Sequence, residues 1–212
     1  IKPGDVIVGL ASYGKATYED QYNSGISSNG LTSARHDVLS KVYAEKYPET
    51  FDAAVDSSLV YSGSKKLTDA LEGTPLNIGQ ALLSPTRTYT PVIKKILNEI
   101  PGKVHGLVNC TGGAHTKVLH YIDNLRIVKD KLLPIPPIFQ LIQKESGTDW
   151  KEMFKVLNCG TRLEVYVEPQ YASLVIDVAL GFGIDAHVIG HVEAAEQNEV
   201  VVKSEYGEFR YS

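Results

Sequence analysis

Apolar and polar positions alternate along the chain in a way that divides it into short strands and helices. Val6, Ile7, Val8, Leu10 and Ala11 form a nearly continuous apolar run after a turn at Gly4 and Asp5, which predicts a buried strand. Residues 12–30 then turn to Gly, Ser, Asn and Tyr, predicting a long polar loop whose segment 12–22 is expected to be mobile without ligand. Leu31, Ala34, Val38, Leu39 and Val42 mark one face of a helix, with Pro48 just beyond its end. Residues 49–75 carry no clean period and read as a surface excursion with a helical turn at 67–71. A short helix is expected over 78–83, and Pro91 opens a longer one whose face is Val92, Ile93, Ile96, Leu97 and Ile100.

The second half repeats the same vocabulary. Val104, Leu107 and Val108 predict a largely buried strand, and Val118, Leu119 and Ile122 a helix after it. A strand at 125–128 precedes a helix through Ile138, Leu141 and Ile142 that Gly147 ends. Thr148 or Asp149 caps the next, which buries Met153, Phe154 and Leu157. Leu163, Val165 and Val167 alternate as a half-buried strand. Pro169 opens a helix through Leu174, Val175, Val178 and Ala179, stopped by Gly181 and Gly183. A strand over 184–193 and a hairpin of 200–202 with Phe209 and Tyr211, turning at Tyr206 and Gly207, close the chain. No repeat or linker interrupts this order, so residues 1–212 read as one α/β (α+β) domain, a mixed β-sheet flanked by helices.

One stretch carries candidate chemistry. Thr111, Gly112 and Gly113 stand between a predicted strand and a predicted helix start, where backbone N–H groups at the positive end of a helix accept an anion without a charged side chain. A plain tight turn needs glycine for steric reasons too, so the pair alone leaves both readings open. Residues 24–30, Ser-Gly-Ile-Ser-Ser-Asn-Gly, meet the same description before the helix at Leu31. Arg87 offers a planar fork for a phosphate, or a structural ion pair at a helix entrance. Asn158 orients a polar group or simply turns the chain. Cys110 beside the glycines has no histidine placed to activate it, and His187 and His191 read better as a partly exposed strand pair than as metal ligands. No carboxylate cluster makes a Mg²⁺ site, so no metal ligands are assigned.

Composition narrows the class further. The formal net charge of -4, without any Lys/Arg run, argues against nucleic acid as a partner. No apolar stretch approaches the ~20 residues of a membrane span, so no membrane partner is expected. With no leader sequence visible and two cysteines beside glycines, Cys110 and Cys159, the reading is of reduced thiols and a cytoplasmic location.

Several pieces together resemble one family. They are residues 4–12, 24–30, 85–89 (Pro-Thr-Arg-Thr-Tyr), 111–113 and 152–160 (Glu-Met-Phe-Lys-Val-Leu-Asn-Cys-Gly). In this order they resemble the C-terminal domain of phosphoribosylformylglycinamidine cyclo-ligase, also called aminoimidazole ribonucleotide synthetase. Its superfamily includes selenophosphate synthetase, thiamine-monophosphate kinase, a hydrogenase maturation factor and formylglycinamidine ribonucleotide synthetase. Ser27 stands where that family usually has histidine, Ala114 where it has a third glycine, and residues 15–22 look inserted.

The resemblance implies an ATP-dependent closure of the imidazole ring of formylglycinamidine ribonucleotide in purine biosynthesis. It implies ATP and Mg²⁺ as cofactors, bound mainly by an N-terminal domain to which nothing in this sequence corresponds, and a homodimer when intact. The chain alone is then expected to be inactive. Ser24, Gly25, Ser27, Ser28, Asn29, Gly30, Arg87, Thr111, Gly112, Gly113 and Asn158 are the residues expected to hold substrate or phosphate. Two other readings stay open: a domain of another superfamily enzyme, or a non-catalytic nucleotide-binding module.

Overall fold

The structure is a computed structural model that describes residues 1–28 and 30–212. Asn29, one of the expected site residues, lies outside the described residues. In chain order the elements are β1 (Val6–Ala11), α1 (Leu31–Val38), α2 (Val42–Lys46), α3 (Ile78–Leu82), α4 (Thr90–Glu99), β2 (Val104–Asn109) and β3 (Leu125–Lys129). They continue with α5 (Pro137–Ser146), α6 (Trp150–Val156), β4 (Thr161–Val167), α7 (Ala172–Gly181), β5 (Ala186–Ala194), β6 (Glu199–Ser204) and β7 (Gly207–Tyr211). Short 3₁₀ segments at Pro48–Thr50, Ala114–Tyr121 and Pro169–Tyr171 join some of them.

Local chemistry explains most boundaries. Asn77 caps α3 by accepting from the Gln80 amide while the Gln80 side chain accepts the Asn77 amide in return. Asp149 accepts the Glu152 amide at 2.9 Å and starts α6. Proline opens α4 and α5, and Gly147, in the left-handed region, closes α5.

The strands form one seven-stranded sheet in the order β2-β4-β1-β5-β3-β6-β7. The pairings are antiparallel except β3 with β6, so the sheet is mixed as the sequence implies. α7 packs on β1 and β5, and α4 on α7. The Ala114–Tyr121 segment lies against β2 and β6, and α6 lies on that segment. Every residue of β4 is buried, which requires cover on both faces.

One of those faces carries charge. Arg162, Glu164 and Tyr166 alternate with apolar Leu163, Val165 and Val167, and all six are buried. Glu164 forms an ion pair with Lys129 of β3, both fully buried. The Lys129 ammonium also donates to the His115 carbonyl at 2.7 Å, and the Tyr166 hydroxyl donates to Glu164 at 2.7 Å. β1 and β5 stand between the two charged residues. Their backbones are therefore separated by three inter-strand spacings, about 14 Å. In the registers of those strands Gly190 faces Lys129 and Gly9 faces Glu164, so no side chain of either partner position obstructs the bridge.

The differences from the pattern reading have physical causes. β4 is not half-buried, because the Ala114–Tyr121 segment covers the face that alternation alone gives to solvent. β2 is an edge strand with Leu107 exposed, not a largely buried one. The first helix stops at Val38, because Leu39 is extended and pairs with Lys65 in an isolated parallel bridge. Residues 67–71 make no helix; this excursion is instead pinned by buried Val60, Tyr61 and Leu71. The helix expected after Gly113 is a 3₁₀ segment, entered through left-handed Gly113 (φ 85°) and Ala114 (φ 38°).

Removing one partner of the β3–β4 bridge strands the other charge in the core. Lys129→Met is expected to cost about 3–5 kcal/mol in urea unfolding, and the Lys129→Met/Glu164→Leu pair to recover at least half of that loss. Equal losses in the single and double variants would show that the ion pair is not the reason for the cost.

Candidate functional site

The expected site residues gather at one end of the central strands. β1 and β2 end there, β4 begins there, and the chain leaves each through a turn. Asn158 ties the turns together. Its side-chain amide donates to the Gly25 carbonyl at 2.9 Å, its side-chain oxygen accepts the Gly160 amide at 3.0 Å, and its carbonyl accepts from His115 Nε2 at 3.0 Å. Ser12, just after β1, donates its amide to the Gly160 carbonyl at 2.9 Å. So the 24–28 segment, the 111–115 turn and the 158–160 turn are fixed relative to one another by hydrogen bonds.

The 24–28 loop is held along its length. Ser24 donates its hydroxyl to the Ala81 carbonyl (2.7 Å) and its amide to the Ser84 hydroxyl (3.0 Å). The Gly25 amide goes to the Asn23 side chain at 2.9 Å, and the Ser28 amide to the Thr86 hydroxyl at 3.2 Å. Gly25 sits at φ 90°, and a Cβ there would collide with the Ser12 hydroxyl, so only glycine fits. The Ser24 side chain is thus structural, while the Ser27 hydroxyl is buried and has no partner among the described residues.

The 111–113 turn differs. Thr111 and Ala114 donate their amides within the turn, to Asn109 and Thr111 carbonyls at 2.7 and 2.6 Å. Gly112 and Gly113 have no partner for theirs among the described residues. Lys117, one turn on, brings its ammonium 2.6 Å from the Thr111 hydroxyl. Two free backbone donors and a cation therefore sit on one short turn, the combination an anion needs. Sequence reading missed Lys117, although its spacing from Thr111 along a helical segment was available.

Arg87 does not belong to that surface. All five of its N–H groups are taken: two by Glu19 (both 2.8 Å), and three by the carbonyls of Ala11 (3.0 Å), Tyr13 (2.8 Å) and Gly14 (2.9 Å). No donor is left for a phosphate, so the expected phosphate contact is replaced by a clamp on the chain after β1. Tyr89 joins the clamp through its hydroxyl on the Ala11 carbonyl at 2.6 Å. This also overturns the mobile-loop expectation for residues 12–22. Gly14 bridges Asn23, Thr17 donates to the Phe182 carbonyl at 2.8 Å, and Ala16 is fully buried.

The remaining candidates are inert. Burial pushes the Cys110 thiol well up, with Glu164 adding to the shift, and burial alone raises Cys159, so neither is a ready nucleophile. His187 and His191 bond the Lys131 carbonyl (2.7 Å) and Glu193 (3.0 Å). Among the described residues no group of three or more His, Cys, Asp or Glu side chains is placed to hold a metal ion. His120 is exposed, and His115 is buried beside Lys129 and Phe154. Among the described residues no helix is long and apolar enough to cross a membrane.

The fold and the turn geometry define an α/β domain that presents, at its strand ends, the Gly112 and Gly113 amides without partners among the described residues and the Lys117 ammonium near them. Residues 2–203 match the family described as AIR synthase related protein, C-terminal domain, and the chain belongs to that family. Among curated relatives, a phosphoribosylformylglycinamidine cyclo-ligase of Methanocaldococcus jannaschii is 34% identical over 203 residues, covering 91% of this chain and 45% of that protein. One of Caldicellulosiruptor saccharolyticus is 28% identical over 210 residues, covering 95% of this chain and 50% of that protein. The chain thus spans about half the length of the curated relatives it matches. A solved hydrogenase maturation protein HypE shares the fold at 16% identity and a TM-score of 0.51, over 100% of this chain and 53% of that one.

Two outcomes follow from this geometry. Arg87→Met is expected to destabilise by about 3 kcal/mol and to speed amide exchange across residues 12–22 selectively. Unchanged exchange there would mean the segment is held without the clamp. Burial, helped by the Lys129 charge, lowers the His115 pKa to about 3, against 6.5 unfolded. The folded state therefore rejects a proton that the unfolded state takes up, and stability falls as pH drops from 6.5 toward 3, by about 1.4 kcal/mol per unit within that window. His115→Gln should flatten the slope of denaturation midpoint against pH in that range, and an unchanged slope would count against a neutral buried imidazole.

Proposed function

We propose that this chain is the substrate-side domain of an ATP-dependent cyclo-ligase that closes the imidazole ring of formylglycinamidine ribonucleotide, giving aminoimidazole ribonucleotide. The carrying observation is the 111–113 turn, whose Gly112 and Gly113 amides have no partner among the described residues and stand near the Lys117 ammonium. The cyclo-ligase relatives and the family match support the choice of substrate.

In this reading the turn holds the ribonucleotide's phosphate, as the two amides and Lys117 supply donors to its oxygens. Asn158 and Arg87 act at one remove, fixing the loops that frame the substrate. ATP would supply the phosphoryl group that activates the formyl oxygen for attack by the amidine nitrogen. Such chemistry rests on positioning and on neutralising phosphoryl charge. Among the described residues no group of carboxylates is placed for Mg²⁺, and in this reading the domain's share is substrate binding and orientation. The nucleotide and its metal belong to a second domain of the kind that completes the longer relatives. Dimerisation and a cytoplasmic setting are part of the same proposal.

Calorimetric titration of the chain with formylglycinamidine ribonucleotide and with the dephosphorylated nucleoside tests this. The nucleotide is expected to bind at least tenfold more tightly, Lys117→Met to remove most of that difference, and no aminoimidazole to form with Mg-ATP. Equal affinity for the two ligands, or turnover by the chain alone, would overturn the assignment.

A further inference from the structure

Beneath the 111–113 turn lies a cation with no ion-pair partner among the described residues. Arg162 is 2% exposed, and its one side-chain hydrogen bond among the described residues runs from Nη1 to the Cys110 carbonyl, at 3.2 Å, immediately before Thr111. Its Nε and Nη2 are buried without a partner among the described residues. The contrast with the other core cations is sharp: Arg87 spends all five donors and pairs with Glu19, and Lys129 pairs with Glu164. Among the described residues no carboxylate pairs with Arg162, and burial depresses its pKa, with Tyr89 and Cys110 acting in the opposite direction.

Hydroxyls in the adjoining turns and strand start also lack partners among the described residues. Thr161, next in sequence, and Ser12, bonded through its amide to Gly160, have buried hydroxyls with no partner among the described residues. Ser27, in the loop whose Gly25 abuts Ser12, has another. Water can satisfy a hydroxyl, but it does not neutralise a guanidinium, and an uncompensated buried charge is among the most destabilising features a core can hold.

We propose that Arg162 is the buried cationic base of the anion site: its counter-charge is the phosphate group held at Gly112, Gly113 and Lys117. This rests on the phosphate reading of that turn and adds a positioning residue to it. Arg162 acts in two ways. It holds the Cys110 carbonyl and so sets the direction of the following turn, and its charge, little screened by solvent, favours an anion above it. The fold accepts a less stable empty state in exchange for tighter binding, as sites commonly do.

Thermal unfolding of the chain in graded inorganic phosphate tests the proposal, with sodium chloride at matched ionic strength as the control. The wild-type Tm is expected to rise saturably with phosphate, beyond the chloride control. Arg162→Gln can keep a donor for the Cys110 carbonyl but loses the charge. It should be as stable as wild type, or more so, without phosphate, and should need at least tenfold more phosphate for the same rise. Arg162→Lys should keep a phosphate response nearer to wild type. A wild-type chain that ignores phosphate overturns both this proposal and the phosphate reading of the turn. A wild-type midpoint retained in Arg162→Gln overturns Arg162's role alone, as does an Arg162→Gln chain that unfolds while Arg162→Lys stays native. If phosphate binding depends on Arg162 but the ribonucleotide does not bind, the substrate assignment fails and this one stands.

Discussion

Burying β4 on both faces demands internal partners for its polar groups. Glu164 and Tyr166 meet that demand through Lys129 and each other. The Arg162 Nε and Nη2 and the Thr161 hydroxyl have no partner among the described residues, and the arrangement around the strand follows from this division. Glu164 is matched by Lys129 across two intervening strands, and the bridge passes positions where Gly9 and Gly190 offer no side chain. The same ammonium takes the His115 carbonyl, which fixes the Ala114–Tyr121 segment on the sheet. His115 in turn bonds the Asn158 carbonyl, and Asn158 holds Gly25. A core ion pair is thereby connected, bond by bond, to the loops of the candidate site. Ion pairs of this kind add little net stability, but they penalise any packing that separates them.

The site itself is mostly backbone. Side chains such as Ser24, Asn158 and Arg87, which look like ligand contacts in the sequence, are consumed in holding turns. Among the described residues, the amides of Gly112 and Gly113 remain without partners, with Lys117 beside them and Arg162 below. Donors fixed in advance do not have to reorganise when an anion arrives, which is the advantage of building such a site on rigid strand ends.

Much of the fold was legible because its elements obey simple periods. The apolar run of β1, the Val92 and Ile96 spacing of α4 and the turn at Gly207 all say in sequence what they do in space. The loops that form the site were legible as loops, through their glycines. Their division of labour was not. Whether Arg87 faces a ligand or a carboxylate depends on Glu19, a residue 68 positions away that no local pattern connects to it. The polar face of β4 was hidden for a related reason: alternation looks the same whether the polar side meets water or a covering segment. Lys129 and Glu164, each flanked by apolar residues within its strand (Val128 before Lys129, Leu163 and Val165 around Glu164), were the available hint. The 3₁₀ segment was missed because its apolar spacing suits an α-helix, while left-handed Gly113 and Ala114 set a tighter entry.

The central claim is that the 111–113 turn receives an anion through its backbone. The most direct measurement is the ¹⁵N–¹H spectrum of the chain titrated with inorganic phosphate. The account predicts saturable shifts of the Gly112 and Gly113 amides, downfield in the proton dimension as new hydrogen bonds form, with β6 and β7 unaffected. Shifts scattered over the surface without saturation, or unmoved Gly112 and Gly113 amides, would contradict it.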